Sequence, residues 1–337
     1  MRLNVLYQFN EKYVPYAGIS MVSLMENNKK TEEIYIYVLG ENLTEHSKKQ
    51  LTMQVEQYGH QIHFMHTDAL IEKMRMLGIP EYRGAYATNM KMFVTDYLND
   101  DIDRLLYIDS DTIICGDISS LIFLDMENKP IGMVLDSLGA RHKLEIGLNK
   151  QDDYFNGGVI LYDVRKWRQD KWTEKIQEHV KNVRTCYMAP DQDILNIVLK
   201  NQIKKIDISF NLQPMHTVYS YRQYSRAFGP LQYYSEDEIQ SAVDNPRILH
   251  FFRYLGEFPW HKSSLHPYVP HFDRYMALSL WKDYQKQSTE QNELVFRIER
   301  WLYKYLPRII FLKVFKISYE IYIWKSNRDS FRQSIIK

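Results

Sequence analysis

The chain has 337 residues and a mass of 40.5 kDa, and 45% of its residues are hydrophobic, which excludes a wholly disordered protein. Its 43 Lys and Arg nearly balance its 42 Asp and Glu, for a net charge of +1, so it lacks the positive excess of a dedicated nucleic-acid binder. Two cysteines, Cys115 and Cys186, are too few for a disulfide framework and fit a reducing cytoplasm. The length predicts two domains, or one large domain with an appendage.

Short β-rich runs alternate with longer helical patterns over the first 200 residues. The predicted strands are residues 3–8, 34–39, 62–66, 105–108, 131–136 and 158–163. The predicted helices are residues 13–25, 45–58 with Thr44 as N-cap, 89–97, 164–183 and 191–200. Strands separated by helices indicate an α/β layer fold with a mostly parallel sheet. Residues 211–245 are rich in Tyr and poorly periodic, which predicts loops and short helices, and the tail from about residue 290 is helical with a break near Pro307.

The segment RLLYIDSD carries the strongest chemical signal. A buried-type strand ends in Asp109 and Asp111, one residue apart, and open α/β sheets bind ligands at the carboxyl ends of their strands. Two neighbouring carboxylates repel each other unless a cation lies between them, and a hard divalent ion bound by carboxylates and substrate phosphates is the usual arrangement. The alternative is structural, with the two acids forming an Asx turn and a helix cap.

Three further segments carry polar side chains beside predicted strands or helices. In YFNGGVILYD, Asn156 and Gly157 offer an amide and a close backbone approach, although an ordinary turn explains them equally well. In APDQDILN, Asp191 lies where a helix cap is expected, next to Gln192. In ILHFF, His250 follows two apolar residues, where it could complete a metal site or act as a hydrogen-bonded core histidine.

These segments, in the order DSD, FNGGVILYD, DQDILN and H…G…PW, resemble the retaining glycosyltransferases of family 8, which include bacterial lipooligosaccharide hexosyltransferases and, more distantly, glycogenin. The resemblance extends from about residue 3 to residue 260. It implies a GT-A glycosyltransferase domain over residues 1–265, with a Rossmann-like fold, a UDP-sugar donor and Mn²⁺ or Mg²⁺. Residues 266–337 would form a separate helical segment rich in basic and aromatic residues.

The resemblance also implies roles for individual residues. Asp109 and Asp111 resemble the family's metal-binding pair, and His250 its third metal ligand. Asp191 and Gln192 resemble the catalytic pair beneath the donor sugar. Asp136 and Asn156 resemble its donor-sugar contacts. Together with residues that stand in for family positions, the predicted donor-binding set is Gln8, Asn10, Lys12, Asn89, Lys91, Asp109, Ser110, Asp136, Asn156, Gly157, Arg253 and Gly256.

The sequence departs from the family pattern at positions that normally contact the donor. Gln8, Asn10 and Lys12 stand near the place of an acidic residue that recognises uracil or ribose, and Asn89, with Lys91 nearby, stands where an Arg is common. The family's Lys in H-x-x-G-x-x-K-P-W is absent, because this chain reads HFFRYLGEFPW with Phe258 before the Pro-Trp pair. We expect Arg253 or Lys91 to supply the missing cation.

The C-terminal segment differs in charge from the rest of the chain. Residues 297–337 contain ten Lys and Arg against three Asp and Glu, a net charge of +7, whereas the preceding residues have a net charge of −6. Basic residues interleaved with aromatic ones on helices suit a peripheral anchor on anionic lipid. Lys313 and Lys316 interrupt the most apolar stretch, so no transmembrane span is expected. The alternative is that these helices pack on the body or on a dimer partner.

The resulting expectation is a retaining hexosyltransferase that moves glucose or galactose from a UDP-sugar to a lipid-linked or cell-surface glycan. Because Met1 is not followed by an apolar secretory core, we expect a cytoplasmic enzyme, peripheral on the inner face of the membrane, with no nucleic-acid partner. Two alternatives stay open. One is a metal-dependent phosphoesterase or pyrophosphatase, which needs ligands for a second metal. The other is a non-catalytic scaffold that binds a nucleotide-sugar or glycan.

Overall fold

The computed structural model describes residues 2–79, 81–82, 84–183, 187–228, 233–288 and 294–336, so Cys186 lies outside the described residues. The strands within them are β1 Arg2–Asn10, β2 Glu33–Glu41, β3 Gln61–Phe64, β4 Arg104–Ile108, β5 Thr112–Ile114, β6 Ile131–Leu135, β7 Phe155–Asp163, β8 Ile203–Lys205 and β9 Ile248–His250. The α-helices are α1 Val14–Asn27, α2 Glu45–Gln57, α3 Asp68–Met76, α4 Gly139–Glu145, α5 Val164–Gln169, α6 Trp172–Asn182, α7 Pro190–Val198, α8 Pro214–Val218, α9 Tyr221–Ala227, α10 Glu236–Asp244, α11 Val269–Leu278, α12 Leu294–Tyr305 and α13 Arg308–Ile336. The 3₁₀ helices are Glu11–Tyr13, Ala87–Tyr97, Ser119–Phe123 and Ile208–Asn211.

Seven strands form the central sheet in the order β3-β2-β1-β4-β7-β6-β8. β7 is antiparallel to both of its neighbours, β4 and β6, and the other pairs are parallel. Outside the edge strand β3, nearly all apolar side chains of these strands are buried, as expected for a sheet covered on both faces. The predicted mostly parallel α/β sheet is therefore confirmed.

The strand directions bring several chain segments to one edge of the sheet. β1, β4 and β6 end at this edge, whereas β7 begins there because it runs in the opposite direction. β7 starts at Phe155, three residues earlier than predicted, so Asn156 and Gly157 belong to the strand and not to a preceding turn. The β6–β7 register jumps from Met133 opposite Ile160 to Val134 opposite Asn156. The resulting bulge occurs where polar groups gather, a common position for bulges beside active sites.

A second, two-stranded ribbon places the histidine beside this edge. β5 follows the DSD sequence directly and pairs antiparallel with β9, with Thr112 opposite His250. The chain after the last 3₁₀ helix runs along the same ribbon, because the backbone N–H of Leu212 donates to the carbonyl of Ile248 at 2.8 Å. Segments more than 130 residues apart in sequence thus meet through backbone hydrogen bonds.

Two helix predictions have different outcomes. Thr44 caps α2 as predicted, since its side chain accepts a hydrogen bond from the backbone N–H of Ser47. The single helix predicted over residues 164–183 is wrong: it is divided into α5 and α6 by Lys171, whose φ of 56° is left-handed. Side-chain periodicity continues across such a break, so the apolar pattern alone did not reveal it.

The segment predicted to begin at residue 266 contains two kinds of structure. Tyr268, Phe272 and Tyr275, from α11 and the residue before it, belong to the main hydrophobic core. α12 and α13, separated at Pro307 as predicted, instead contribute Phe311 and other residues to a second apolar cluster with α8 and α9. The division at residue 265 stays a prediction. In the part of the chain that the structure describes, no helix has the length and apolar character needed to cross a membrane.

Candidate functional site

Asp109, Asp111 and His250 lie together where β4 ends. The backbone N–H of Asp109 donates to the carbonyl of Gly158 at 2.8 Å, and the pairing of β5 with β9 holds His250 opposite Thr112. The Nε2 atom of His250 is 3.6 Å from Oδ2 of Asp109 and 3.5 Å from Oδ1 of Asp111. One ligand atom from each of the three residues lies within 4.8 Å of the others.

The donor set of this cluster fits a divalent cation. Oxygen and nitrogen ligands about 2.1 Å from an ion are separated by about 3 to 4 Å from one another, which matches the observed spacing after small side-chain movements. Burial, opposed by the nearby Lys91 ammonium and aided by the Asp111 carboxylate, raises the pKa of Asp109 to about 6. A cation would relieve this repulsion. Among the described residues, no other three acids, histidines or cysteines converge in this way, so ligands for a second metal are not found there.

A second polar cluster adjoins the first and is closely hydrogen-bonded. The Oε1 atom of Gln192 accepts from the backbone N–H of Gly157 at 2.9 Å and from Nδ2 of Asn156 at 3.1 Å. Its Nε2 atom donates to Oδ2 of Asp136 at 3.2 Å and to the hydroxyl of Tyr154 at 2.9 Å. Nδ2 of Asn156 also donates to Oδ2 of Asp136 at 2.9 Å. The amide of Gln192, on the first turn of α7, is therefore held in one orientation by four groups.

Lys91 and Asp191 form a buried ion pair between the two clusters. The Nζ atom of Lys91, whose side chain is 2% exposed, lies 2.6 Å from Oδ2 of Asp191 and 3.8 Å from Oδ1 of Asp109. It also donates to the carbonyl of Gly157 at 2.8 Å. Burial lowers the pKa of Lys91, but the two carboxylates outweigh burial and raise the pKa overall. Lys91 therefore remains charged, and its donors are directed at protein groups.

The residues predicted near the nucleoside differ in their surroundings. Gln8 is buried, and its amide binds the backbone on both sides: Nε2 donates to the carbonyl of Thr88 at 2.6 Å, and Oε1 accepts from the N–H of Lys91 at 2.9 Å. These two hydrogen bonds connect β1 to the 3₁₀ helix Ala87–Tyr97. Asn10 is partly exposed and Lys12 is exposed. Two further members of the predicted set, Asn89 and Ser110, are buried.

Arg253 and Gly256 lie on the loop that follows His250. The guanidinium of Arg253 is 5.4 Å from the ring centroid of Phe258, the residue that stands where the family pattern has Lys. Gly256 has a φ of +79°, and a Cβ atom there would lie 2.4 Å from the ring of Phe296 on α12. Gly256 therefore permits a close contact between this loop and the C-terminal helices.

Sequence reasoning missed several residues of the site. Tyr154, just before FNGG, donates to Oδ1 of Asp193 at 2.6 Å, and His142 contacts the same oxygen at 2.6 Å. Asn211 contacts both His250 and Asn156. Asn211 lies in a segment without periodicity, so only the tertiary structure reveals its position.

Comparison with known proteins decides the family. The sequence profile described as Glycosyl transferase family 8 matches residues 4–264. The chain belongs to glycosyl transferase family 8. It is therefore a glycosyltransferase, and the family retains the anomeric configuration of the sugar that it transfers.

Curated relatives match this family 8 chain over most of its length. It is 28% identical to general stress protein A of Bacillus subtilis over 277 residues, covering 81% of this chain and 92% of that protein. It is 26% identical to a lipopolysaccharide 1,2-glucosyltransferase of Escherichia coli over 285 residues, covering 83% and 79%. It is also 26% identical to a lipopolysaccharide 1,3-galactosyltransferase of Salmonella typhimurium over 293 residues, covering 83% and 79%.

Solved structures support the same fold. An active-site mutant of LgtC aligns with a TM-score of 0.66 and 20% identity, covering 83% of this chain and 96% of that chain. The bifunctional glycosyltransferase WbbM aligns with a TM-score of 0.69 and 18% identity, covering 85% and 52%. The fold of this family 8 chain is thus the GT-A fold expected from its sequence.

Proposed function

We propose that this family 8 glycosyltransferase transfers a hexose, glucose or galactose, from a UDP-sugar to a hydroxyl of a glycan acceptor. One observation carries the proposal: Asp109, Asp111 and His250 converge within 4.8 Å of one another. This cluster adjoins the hydrogen-bonded side chains of Asp136 and Asn156. A metal–diphosphate site beside a cluster of hydroxyl-binding groups is what a nucleotide-sugar requires.

The metal cluster would hold the diphosphate of the donor. Asp109, Asp111 and His250 would bind Mn²⁺ or Mg²⁺ through two oxygens and one nitrogen, which leaves positions for phosphate oxygens. When bound, the ion would neutralise the negative charge that grows on the departing UDP. The sugar would lie over Asp136 and Asn156, whose carboxylate and amide suit hydroxyl groups.

The arrangement of Gln192 and Asp191 favours a same-face reaction. Gln192 is an amide and a poor nucleophile, and its Oε1 already accepts two hydrogen bonds. The Asp191 carboxylate lies 2.6 Å from the Lys91 ammonium, which lowers its nucleophilicity. We therefore assign both residues to stabilising positive charge at the anomeric carbon. The leaving phosphate would take the acceptor proton as the new glycosidic bond forms on the same face. Trapping a covalent sugar on Gln192 or Asp191 would overturn this assignment.

Arg253 is the better candidate for the cation missing from the family motif. Lys91 is buried and bound to Asp191 and the carbonyl of Gly157. Its role would therefore be to hold these two groups in position and not to contact the diphosphate. Arg253 lies against the ring of Phe258, which replaces the family's Lys. From there its guanidinium would reach the diphosphate. For the nucleoside, we assign Asn10 and Lys12, because the amide of Gln8 is engaged by the backbone.

The acceptor is proposed to be lipid-linked or part of a cell-surface polysaccharide. Two of the relatives are named lipopolysaccharide hexosyltransferases, and the C-terminal helices suit a peripheral position on the inner face of the membrane. One side of α12 and α13 packs on the body, and the other side carries exposed apolar residues. The exposed residues are Leu294, Val295, Ile298, Trp301, Tyr305, Ile309, Ile310, Val314, Ile317, Ile321, Tyr322 and Trp324.

The test is UDP release from a panel of UDP-glucose, UDP-galactose and UDP-N-acetylglucosamine, with Mn²⁺, with Mg²⁺ or with EDTA. A hydrolysis assay needs no acceptor. We expect turnover of one UDP-hexose that requires the metal and is lost in Asp109→Asn. Tight metal-dependent binding of UDP-sugar without turnover, with or without glycan, would favour the scaffold alternative.

A further inference from the structure

Asn211 links the metal cluster to the sugar-binding cluster. Its side chain is completely buried at the end of the 3₁₀ helix Ile208–Asn211. Its Oδ1 atom lies 2.9 Å from Nδ1 of His250, and its Nδ2 atom donates to Oδ1 of Asn156 at 2.8 Å. Neither the family pattern in this sequence nor the roles proposed above include Asn211.

The side-chain amides of Gln192, Asn156 and Asn211 are linked by hydrogen bonds, and two backbone N–H groups fix the direction of each of these bonds. The N–H of Gly157 donates to Oε1 of Gln192 at 2.9 Å, and the N–H of Gly158 donates to Oδ1 of Asn156 at 3.0 Å. Backbone nitrogen can only donate, so these side-chain atoms must be oxygens. The orientation of Asn156 is confirmed at its other end, where Nδ2 faces the carboxylate of Asp136 at 2.9 Å.

The same logic extends from Asn156 to His250. Because Oδ1 of Asn156 is an acceptor, the atom of Asn211 that faces it must be the NH₂ group. The oxygen of Asn211 therefore faces His250, and it can only accept. The Nδ1 atom of His250 must then carry a hydrogen. In the neutral imidazole the other nitrogen, Nε2, is left with a lone pair.

We propose that Asn211 is a positioning residue that holds His250 in the tautomer required for metal binding. The lone pair of Nε2 points to the space shared with Asp109 and Asp111, 3.6 and 3.5 Å away. In the opposite tautomer, Nε2–H would point into the cation position and donate to a carboxylate. This inference rests on the metal site of the proposed function. It means that the backbone N–H groups of Gly157 and Gly158 on β7 determine, through the amide side chains, the tautomer of His250.

The tautomer can be measured without any metal. We suggest ¹⁵N-histidine labelling and ring ¹H–¹⁵N correlation spectra of the metal-free full chain at pH 9, with His250→Gln to assign the signal of His250. We expect a protonated Nδ1 and an unprotonated Nε2. Asn211→Asp retains an oxygen facing Nδ1 and should give the same pattern, whereas Asn211→Ala should give a mixed or reversed pattern. A protonated Nε2 in the natural chain, or an unchanged tautomer in Asn211→Ala, would overturn the proposal.

Metal affinity provides the second readout. Loss of a hydrogen-bond partner behind a ligating histidine weakens metal binding by about 10- to 100-fold, so Asn211→Ala should bind Mn²⁺ that much more weakly in an EPR titration. Asn211→Asp, like Asn211→Ala, loses the hydrogen bond to Asn156, but it keeps the oxygen that faces Nδ1 of His250. Its Mn²⁺ affinity should therefore stay within about threefold of that of the natural chain. Equal weakening in the two variants would reduce Asn211 to a structural role and refute the proposal.

The two measurements separate this inference from the proposed function. If the natural chain bound no Mn²⁺, or bound it equally well as Asp109→Asn, the proposed metal site would fail. The tautomer spectra would still decide the role of Asn211, because they contain no metal. Circular dichroism and thermal unfolding of both variants exclude a folding defect as the cause of lost affinity.

Discussion

Gly158 and His250 are in direct contact, and the imidazole ring occupies the space that a side chain at position 158 would fill. A Cβ atom added to Gly158 would lie 2.1 Å from Cε1 and 2.5 Å from Nδ1 of the His250 ring. The ring is held by its pairing strand and by Asn211, so it cannot move away easily. We predict that Gly158→Ala displaces His250 and weakens Mn²⁺ binding by tenfold or more, as measured by EPR titration.

Gly157→Ala is the matched control for this substitution. A Cβ atom there would lie 3.5 Å from both Cβ of Gln192 and Nζ of Lys91, which is ordinary van der Waals contact. This variant should bind Mn²⁺ like the natural chain. Equal Mn²⁺ affinity in Gly157→Ala and Gly158→Ala would show that the glycine contact does not position the histidine.

The buried ion pair of Lys91 and Asp191 should be essential for stability. Removing one member leaves an uncompensated buried charge, which typically destabilises a protein by about 3–5 kcal/mol. Lys91→Met should lower the free energy of unfolding by about that amount in guanidinium titrations. The double variant Lys91→Met/Asp191→Asn should recover a large part of the loss, because the remaining partner no longer carries a charge. Additive losses in the double variant would contradict this account.

Arg253 should contribute to donor affinity. A hydrogen bond to a charged group contributes about 1.5–3 kcal/mol, so Arg253→Ala should weaken UDP binding by about ten- to a hundredfold in calorimetry with Mn²⁺ present. Lys262→Ala removes an exposed positive charge further along the same segment and serves as the control. Unchanged UDP affinity in Arg253→Ala would remove Arg253 from the diphosphate site.

The C-terminal helices should bind anionic vesicles. Each basic residue at such a surface contributes about 1 kcal/mol, so Lys313→Ala/Lys316→Ala should lower the affinity for phosphatidylglycerol vesicles about 30-fold, as measured by co-sedimentation. Lys29→Ala/Lys30→Ala removes two exposed charges from the turn after α1 and should have little effect. Equal binding by both double variants would argue that α12 and α13 pack on protein instead.

Glu299 should make stability depend on pH. It borders a cavity of about 30 Å³ between α12 and the body, together with Arg253 and Phe311. Burial raises the pKa of Glu299 from 4.5 to about 7, and Arg300 offsets only part of this rise. The folded chain therefore keeps this proton to a higher pH than the unfolded chain does, so stability falls as pH rises from about 4.5 to 7.

Glu299→Gln cannot lose a proton, so it should remove this contribution to the pH dependence. We expect the variant to be more stable than the natural chain at pH 8 and to resemble it at pH 4.5, as measured by denaturant unfolding. An identical pH dependence in the two proteins would mean that Glu299 is already solvated when folded.

Part of the architecture could be predicted because it depends on residues that are close together in the sequence. The apolar run before Asp109 forms β4, and the alternation of strands and helices gave the α/β class. Thr44 capped its helix because capping depends on residues three positions apart. The break at Lys171 was missed because a single left-handed residue leaves no mark on side-chain periodicity.

The sequence alone determined the family, the chemical types at the strand ends and the charge of the C-terminal segment, since these depend only on residue identity and order. Only the tertiary structure decided which polar groups meet. The antiparallel course of β7 brings Asn156 to the edge where β4 ends, and the β5–β9 ribbon brings His250 and Asn211 beside it. Hydrogen bonds and ion pairs act over a few ångströms in space, so residues far apart in the chain acquire these roles only when the sheet has formed.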